Sequence, residues 1–144
     1  MTNIYAEVNS GLLLSKTDGI FYDGAPNRPF ALEKHRMTWT QIAQNYWVSP
    51  QISASQLDEA KALGFDTVVC NRPDDEEPGQ INSDVIAAAC ATLGLDYLFL
   101  PMQGANFSAE YVEQIQQLNQ ANKKVLAYCR SGNRSSILYN AAAV

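Results

Sequence analysis

Residues 125–135 read VLAYCRSGNRS, a short apolar run that passes directly into a polar loop with one cysteine and two arginines. The run Val125–Tyr128 is typical of a buried parallel strand, and open α/β sheets place their ligands at the carboxyl ends of such strands. Gly132 gives the backbone the freedom to make a tight turn after the strand. A helix predicted to begin near Ser135 directs its positively polarised end toward the same point. The stretch therefore predicts an anion-binding loop at the edge of a parallel sheet.

Cys129 lies at the base of this predicted loop, where a thiolate would meet a bound anion. Arg134 carries a planar guanidinium that can hold two oxygens of that anion at once. Ser135 is predicted to donate a hydrogen bond to the departing sulfur, to cap the last helix, or to do both. A buried core thiol is the alternative for Cys129, but a core thiol needs no adjacent arginines, serines and glycine. The predicted anion-binding residues are Arg130, Ser131, Gly132, Asn133 and Arg134.

Strand and helix patterns alternate along most of the chain. Strands are predicted at 46–48, 66–70, 97–100 and 125–128, each followed by a helix whose start carries Ser or Asn. This alternation predicts an α/β fold with a mostly parallel sheet flanked by helices. Residues 37–144 are predicted to form this domain, and residues 1–36 an extension with a hairpin at its Asp-Gly turn and a linker. The predicted last helix has only about nine residues before the sequence ends, so further residues are expected to complete it.

The composition limits the classes of function. The chain has 144 residues, 47% hydrophobic and 17% charged, which suits one globular domain. No apolar run approaches the roughly 20 residues of a membrane span, and the first ten residues lack a secretory pattern, so a cytoplasmic location is expected. The net charge of -5 argues against nucleic acid as a partner. The three cysteines have no metal-ligand spacing, so no metal or other cofactor is predicted, and the oligomeric state is left open.

Three separate segments carry a resemblance to a known family. They read YWVSPQIS at 46–53, TVVCNRPDDEEPGQ at 67–80 and LAYCRSGNRS at 126–135. Together they resemble the bacterial beta-lactamase hydrolase-like phosphatase-like domain family, which is related to the cysteine-dependent tyrosine and dual-specificity phosphatases. The resemblance covers residues 37–144. It implies a protein tyrosine phosphatase-like fold and hydrolysis of phosphate esters through a cysteinyl-phosphate intermediate, with Cys129 as the nucleophile.

Two features depart from the tyrosine phosphatase pattern. Tyr128 stands where those enzymes have histidine, and four residues rather than five separate Cys129 from Arg134. The shorter loop also resembles that of the rhodanese sulfurtransferases, in which the cysteine carries a persulfide. Sulfur transfer and a non-catalytic anion-binding module are therefore kept as alternatives. The expected substrate contains either phosphate or sulfur.

The source of the proton for the leaving group is the least determined part of the predicted site. Dual-specificity phosphatases have an aspartate after the strand that matches 97–100, whereas residues 101–106 here read PMQGAN. Four consecutive acids, DDEE at 74–77, offer a substitute if their loop folds over the anion site, although such a run is also typical of a solvated loop. We assign the acid to Asp75, with Asp74 and Glu76 as further contributors. Arg72 is expected to anchor the loop by pairing with a carboxylate or to help bind the anion.

Overall fold

The computed structural model of the protein describes residues 38–144. The whole predicted N-terminal extension, residues 1–36, with its hairpin and linker, lies outside this range. The described part contains these strands and helices: β1 (Thr40–Ala43), β2 (Tyr46–Ser49), α1 (Ala54–Ala62), β3 (Thr67–Cys70), α2 (Ser83–Leu93), β4 (Asp96–Phe99), α3 (Ala109–Gln120), β5 (Val125–Tyr128) and α4 (Asn133–Ala142).

The five strands form one sheet in the order β1-β2-β5-β3-β4. The last four of these strands are parallel to one another, and β1 pairs antiparallel with β2. This confirms the predicted α/β class with a mostly parallel sheet. Strand β1 was not predicted, because its four residues, TQIA, are exposed or half-buried and form no apolar run.

The central strand, β5, is buried on both faces. Leu126 and Tyr128 belong to the core that α1 and α2 cover, and Val125 and Ala127 belong to the core that α3 and α4 cover. None of the four is more than 1% exposed. A strand between two helical layers has no polar face, which explains why its sequence is a continuous apolar run. The strand consequently gives the loop that follows it a rigid, fully packed base.

The register brings the carboxyl ends of three strands to the same edge of the sheet. Tyr128 lies opposite Ser49 of β2 and Cys70 of β3. One residue further, the Cys129 amide donates to the Ser49 carbonyl at 3.3 Å, and the Asn71 amide donates to the Tyr128 carbonyl at 2.8 Å. Cys129 is thus surrounded by the ends of β2 and β3, at the position where parallel sheets bind ligands.

Local capping signals place two of the helices as predicted. The Asn82 side chain accepts a hydrogen bond from the Asp84 amide at the start of α2, and Ser108 accepts one from the Tyr111 amide at the start of α3. Gly94 ends α2 with a φ of 75°, a conformation that glycine adopts without steric cost. No helix in residues 38–144 has both the length and the apolar character that a membrane crossing requires.

Candidate active site

The loop after β5 turns sharply into α4 at Gly132. This residue is the N-cap of α4 and has a φ of 95°, which is strained for any residue with a side chain. A Cβ atom at this position would lie 3.5 Å from the backbone of Ser49. Because α4 begins at Asn133, Ser135 lies within its first turn, and the alternative that Ser135 caps the helix is wrong. The first amides of α4 have no partner within the helix and can serve the loop.

The sulfur of Cys129 lies in a nest of backbone amides. The side chain is fully buried, and the Gly132 amide donates to Sγ at 3.0 Å. Burial opposes ionisation of the thiol, but the amides outweigh it, and the pKa of Cys129 is below the ordinary value. The amides that lower this pKa belong to Ser135, Ser131, Arg134 and Gly132. The loop therefore favours the thiolate of Cys129.

The two other cysteines have the opposite property. Burial raises the pKa of Cys90 to about 11, and burial is also the largest cause of the raised pKa of Cys70. Both side chains lie in the core between the sheet and the helices α1 and α2. Among the three free thiols, Cys129 is the one whose surroundings favour the thiolate.

This contrast predicts selective alkylation. At about pH 6 an ordinary thiol, with a pKa of about 8.5, is almost entirely protonated, so we expect iodoacetamide to label Cys129 before Cys70 or Cys90. Mass spectrometry of tryptic peptides over a range of pH gives the labelling rate of each cysteine. The rate at Cys129 should reach its plateau at a lower pH than the other two, and inorganic phosphate should slow it. Equal labelling of all three thiols at low pH would contradict this description of the loop.

Arg134 lies at the start of α4 with a side chain that is 14% exposed. Its Nη1 donates to Glu76 Oε2 at 2.7 Å and to the Met102 carbonyl at 2.9 Å, and its Nη2 donates to Glu76 Oε1 at 3.0 Å. The hydrogen bonds to Glu76 are the largest cause of the raised pKa of Arg134, and the nearby Cys129 sulfur contributes as well. The guanidinium is thus close to the thiol and firmly held.

Three of the other residues around Cys129 have exposed side chains. Ser131 and Asn133 are exposed, and the Asn133 amide donates to Ser131 Oγ at 3.3 Å. The Arg130 side chain is 70% exposed and lies 3.4 Å from Glu77. Ser135 is buried, and its Oγ has no hydrogen-bond partner within residues 38–144.

Two of the four predicted acidic residues differ in their environments. Asp74 accepts hydrogen bonds from the amide and the hydroxyl of Ser83, both at 2.7 Å, and so fixes the start of α2. Asp75 is exposed and has a φ of 64°. Asp74 therefore fixes the acidic loop to the start of α2, whereas Asp75 lies at the exposed turn of that loop.

Glu76 and Glu77 pair with arginines. Glu76 Oε1 accepts from Arg72 Nε at 2.9 Å in addition to its contacts with Arg134. These two arginines lower the pKa of Glu76 to about 2, with the Arg134 hydrogen bond as the largest cause. A carboxyl group with this pKa carries no proton near neutral pH, which argues against Glu76 as a general acid. Glu77 lies 3.6 Å from Nη2 of Arg72 and close to Arg130.

Two contributors to the site were not predicted. The Gln51 side chain accepts from Arg72 Nη1 at 3.0 Å, and Arg72 itself is only 3% exposed. Met102 provides the backbone carbonyl that receives Arg134. Gln51 lies in YWVSPQIS, one of the three segments that carry the family resemblance. The sequence did not indicate that Gln51 contacts Arg72. Met102 acts through its backbone, which no side-chain pattern reveals.

The fold of the described residues identifies the structural class of this protein. The described domain has the protein tyrosine phosphatase fold, as its likeness to solved structures of phosphatases with that fold shows. One of them, Tk-PTP in its active form, superimposes with a TM-score of 0.54 over 74% of this chain and 80% of its own, at 20% sequence identity. That low identity establishes likeness of fold alone. Within this class, residues 38–143 match the family described as beta-lactamase hydrolase-like protein, phosphatase-like domain, and the chain belongs to that family.

Other relatives have clearer sequence similarity to this chain. The beta-lactamase hydrolase-like protein of Agrobacterium fabrum is 30% identical over 104 residues, which are 72% of this chain and 24% of that protein. The chain thus matches about a quarter of the length of this relative. A solved structure of a candidate phosphatase from Neisseria meningitidis is 30% identical, with a TM-score of 0.61 over 69% of this chain and 72% of its own. Family and fold support a phosphatase-type hydrolase.

Proposed function

We propose that this domain hydrolyses phosphate esters through a covalent cysteinyl-phosphate on Cys129. The observation that carries the proposal is the buried sulfur of Cys129, whose pKa is lowered by four loop amides and which lies beside the guanidinium of Arg134. The amides that stabilise a thiolate in the free protein also suit the oxygens of a phosphoryl group bound above it. Membership of a phosphatase-like family supports this choice of substrate.

The proposed reaction has two steps. The Cys129 thiolate attacks phosphorus, a sulfur–phosphorus bond forms, and the ester oxygen departs with a proton. Water then attacks phosphorus, inorganic phosphate leaves, and the thiolate is restored. Arg134 and the loop amides hold the non-bridging oxygens in both steps and stabilise the negative charge that is spread over these oxygens in the transition state. The buried Ser135 hydroxyl is proposed to donate a hydrogen bond to the sulfur as it departs in the second step.

Asp75 is proposed as the general acid for the first step. Asp74 is engaged by Ser83, and Glu76, with a pKa of about 2, is ionised at neutral pH. Asp75 is exposed in the same loop, which the contact between Glu76 and Arg134 places next to the anion-binding loop. Of these three carboxyl groups, Asp75 is the one that no hydrogen bond or ion pair to another residue of 38–144 engages, and for this reason the role of acid is proposed for it.

The substitution Asp75→Asn should slow the hydrolysis of an alkyl phosphate far more than that of p-nitrophenyl phosphate. An alkoxide needs a proton in order to leave, whereas a nitrophenolate leaves nearly unaided, and a general acid contributes about 10²- to 10⁴-fold. The measurement is the ratio of kcat/KM for the two esters in the wild type and in Asp75→Asn. Asp84→Asn, a charge-matched change at an exposed residue of α2, serves as the control. An unchanged ratio in Asp75→Asn would remove Asp75 from the mechanism.

A comparison of two assays tests the proposed function itself. We expect wild-type protein to release phosphate from an aryl phosphate faster than it transfers sulfur from thiosulfate to cyanide. The sulfurtransferase alternative rests on the four-residue spacing between Cys129 and Arg134, and faster sulfur transfer would establish it. Binding of inorganic phosphate with neither activity would instead establish a non-catalytic anion-binding module.

A further inference from the structure

The carboxylate of Glu76 bridges two arginines that come from different parts of the chain. It accepts from Arg72 Nε at 2.9 Å and makes a bidentate pair with Arg134, at 2.7 and 3.0 Å. Arg72 is 3% exposed and is further held by Gln51 at 3.0 Å. Arg72 therefore holds the carboxylate of Glu76 in place, and Glu76 in turn holds the guanidinium of Arg134.

The hydrogen bonds of Arg134 to Glu76 and Met102 use three of its five N–H groups. Of the five N–H groups of arginine, the two on Nη1 donate to Glu76 and to the Met102 carbonyl, and one on Nη2 donates to Glu76. The Nε–H and the second N–H of Nη2 form another edge of the guanidinium. This pair of donors has the spacing that matches two oxygens of a phosphate, and the guanidinium interacts with the Cys129 sulfur.

We propose that Glu76 is a positioning residue, which holds Arg134 by its Nη1/Nη2 edge so that the Nε/Nη2 edge faces an oxyanion bound over Cys129. This inference rests on the proposed function, because it assigns Glu76 a part in that reaction. Arginine side chains lose considerable conformational freedom when they bind an anion. A carboxylate that holds the guanidinium in advance removes most of this cost from the binding and transition-state steps.

The negative charge of Glu76 has a second effect that an experiment must separate from positioning. A carboxylate near the loop repels an anionic substrate, so its removal by itself strengthens anion binding. Glu77 provides the matched control, since it belongs to the same loop, carries the same charge and lies near Arg72 and Arg130 at 3.6 and 3.4 Å. Glu77→Gln reports the effect of charge, and the difference between Glu76→Gln and Glu77→Gln reports the effect of orientation.

We expect Glu76→Gln to lower kcat for an aryl phosphate by about 10²-fold, the scale for a catalytic group displaced by about 1 Å. The value of KM should change less, because weaker repulsion offsets the loss of orientation. Glu77→Gln should stay within about fivefold of the wild type, the scale of an exposed ion pair. By calorimetry, Glu76→Gln should bind inorganic phosphate about tenfold more weakly than Glu77→Gln, as expected for one misplaced charge-assisted hydrogen bond.

A double-mutant cycle shows whether Glu76 acts through Arg134. In an Arg134→Ala background, Glu76→Gln should cause no further loss of kcat, because the group that it positions is already absent. A similar loss in both backgrounds would indicate a purely structural role. Glu76→Gln leaves the buried Arg72 with a weaker partner, so thermal melting must accompany each assay. If Glu76→Gln does not fold, Glu76→Asp keeps the charge on a shorter side chain and should fold with a lowered kcat.

The possible failures of the two proposals are distinct. A wild type that turns over aryl phosphate, together with equal effects of Glu76→Gln and Glu77→Gln, overturns the role of Glu76 and leaves the proposed function standing. Tighter phosphate binding and a higher kcat/KM in Glu76→Gln than in Glu77→Gln would show that Glu76 competes with the substrate, which also overturns it. A wild type without turnover refutes the proposed function, and the phosphate affinities of the two variants then decide whether Glu76 positions Arg134.

Discussion

Replacement of Cys129 by serine is expected to abolish the release of phosphate, with a loss of at least about 10⁴-fold in kcat, the scale for removal of a catalytic nucleophile. The loop amides lower the pKa of the Cys129 thiol, but a serine hydroxyl remains protonated because its pKa is several units higher than that of a thiol. The amides and Arg134 are unchanged in Cys129→Ser. We therefore expect this variant to bind inorganic phosphate in calorimetry with an affinity close to that of the wild type.

The other two cysteines supply the controls for this result. Cys70 and Cys90 are buried in the core, and both have raised pKa values. Cys70→Ser keeps a donor for the Arg72 carbonyl, which the thiol contacts at 3.3 Å. Cys90→Ser places a hydroxyl in an apolar environment and should lower Tm. Both variants should retain most of the turnover, and full turnover in Cys129→Ser would refute every catalytic role assigned to the loop.

Replacement of Arg134 by lysine should lower kcat by on the order of 10²-fold or more, the scale for one transition-state donor. Lysine keeps the charge, but its ammonium cannot offer two parallel N–H groups to an oxyanion while it also holds both oxygens of Glu76. The Met102 carbonyl, which receives Nη1 at 2.9 Å, loses its donor as well. Steady-state kinetics with an aryl phosphate measure the effect, and thermal melting shows whether the fold persists.

Arg130 is the internal comparison for Arg134, since both arginines lie within five residues of Cys129. The Arg130 side chain is 70% exposed, and its ion pair with Glu77 is 3.4 Å long. Exposed pairs of this kind contribute little to stability, so Arg130→Ala should change kcat by less than about fivefold. If Arg130→Ala proved more damaging than Arg134→Lys, the assignment of the oxyanion ligand in this loop would be wrong.

Local sequence signals were sufficient for most of the fold. The apolar run of β5, the capping residues Asn82 and Ser108 and the stop at Gly94 act on residues a few positions away, so their effects are readable without knowledge of the rest of the chain. The short edge strand β1 was missed because its pairing with β2 does not require an apolar pattern. The start of α4 was misplaced by two residues, because Gly132 rather than Ser135 makes the turn into the helix.

Some features of the candidate site were also predictable from local sequence, and others depend on the tertiary fold. Cys129, Gly132 and Arg134 lie within six consecutive residues, and their order in the sequence indicated an anion-binding loop. The sequence identified the four acids at 74–77 only as a group, because their adjacent positions do not show which carboxylate contacts which arginine. Glu76 and Arg134 are 58 residues apart and meet because the parallel register brings the ends of β3 and β5 to one edge of the sheet. Charge pairing depends on distance in space, which for residues so far apart in sequence is set by the tertiary fold.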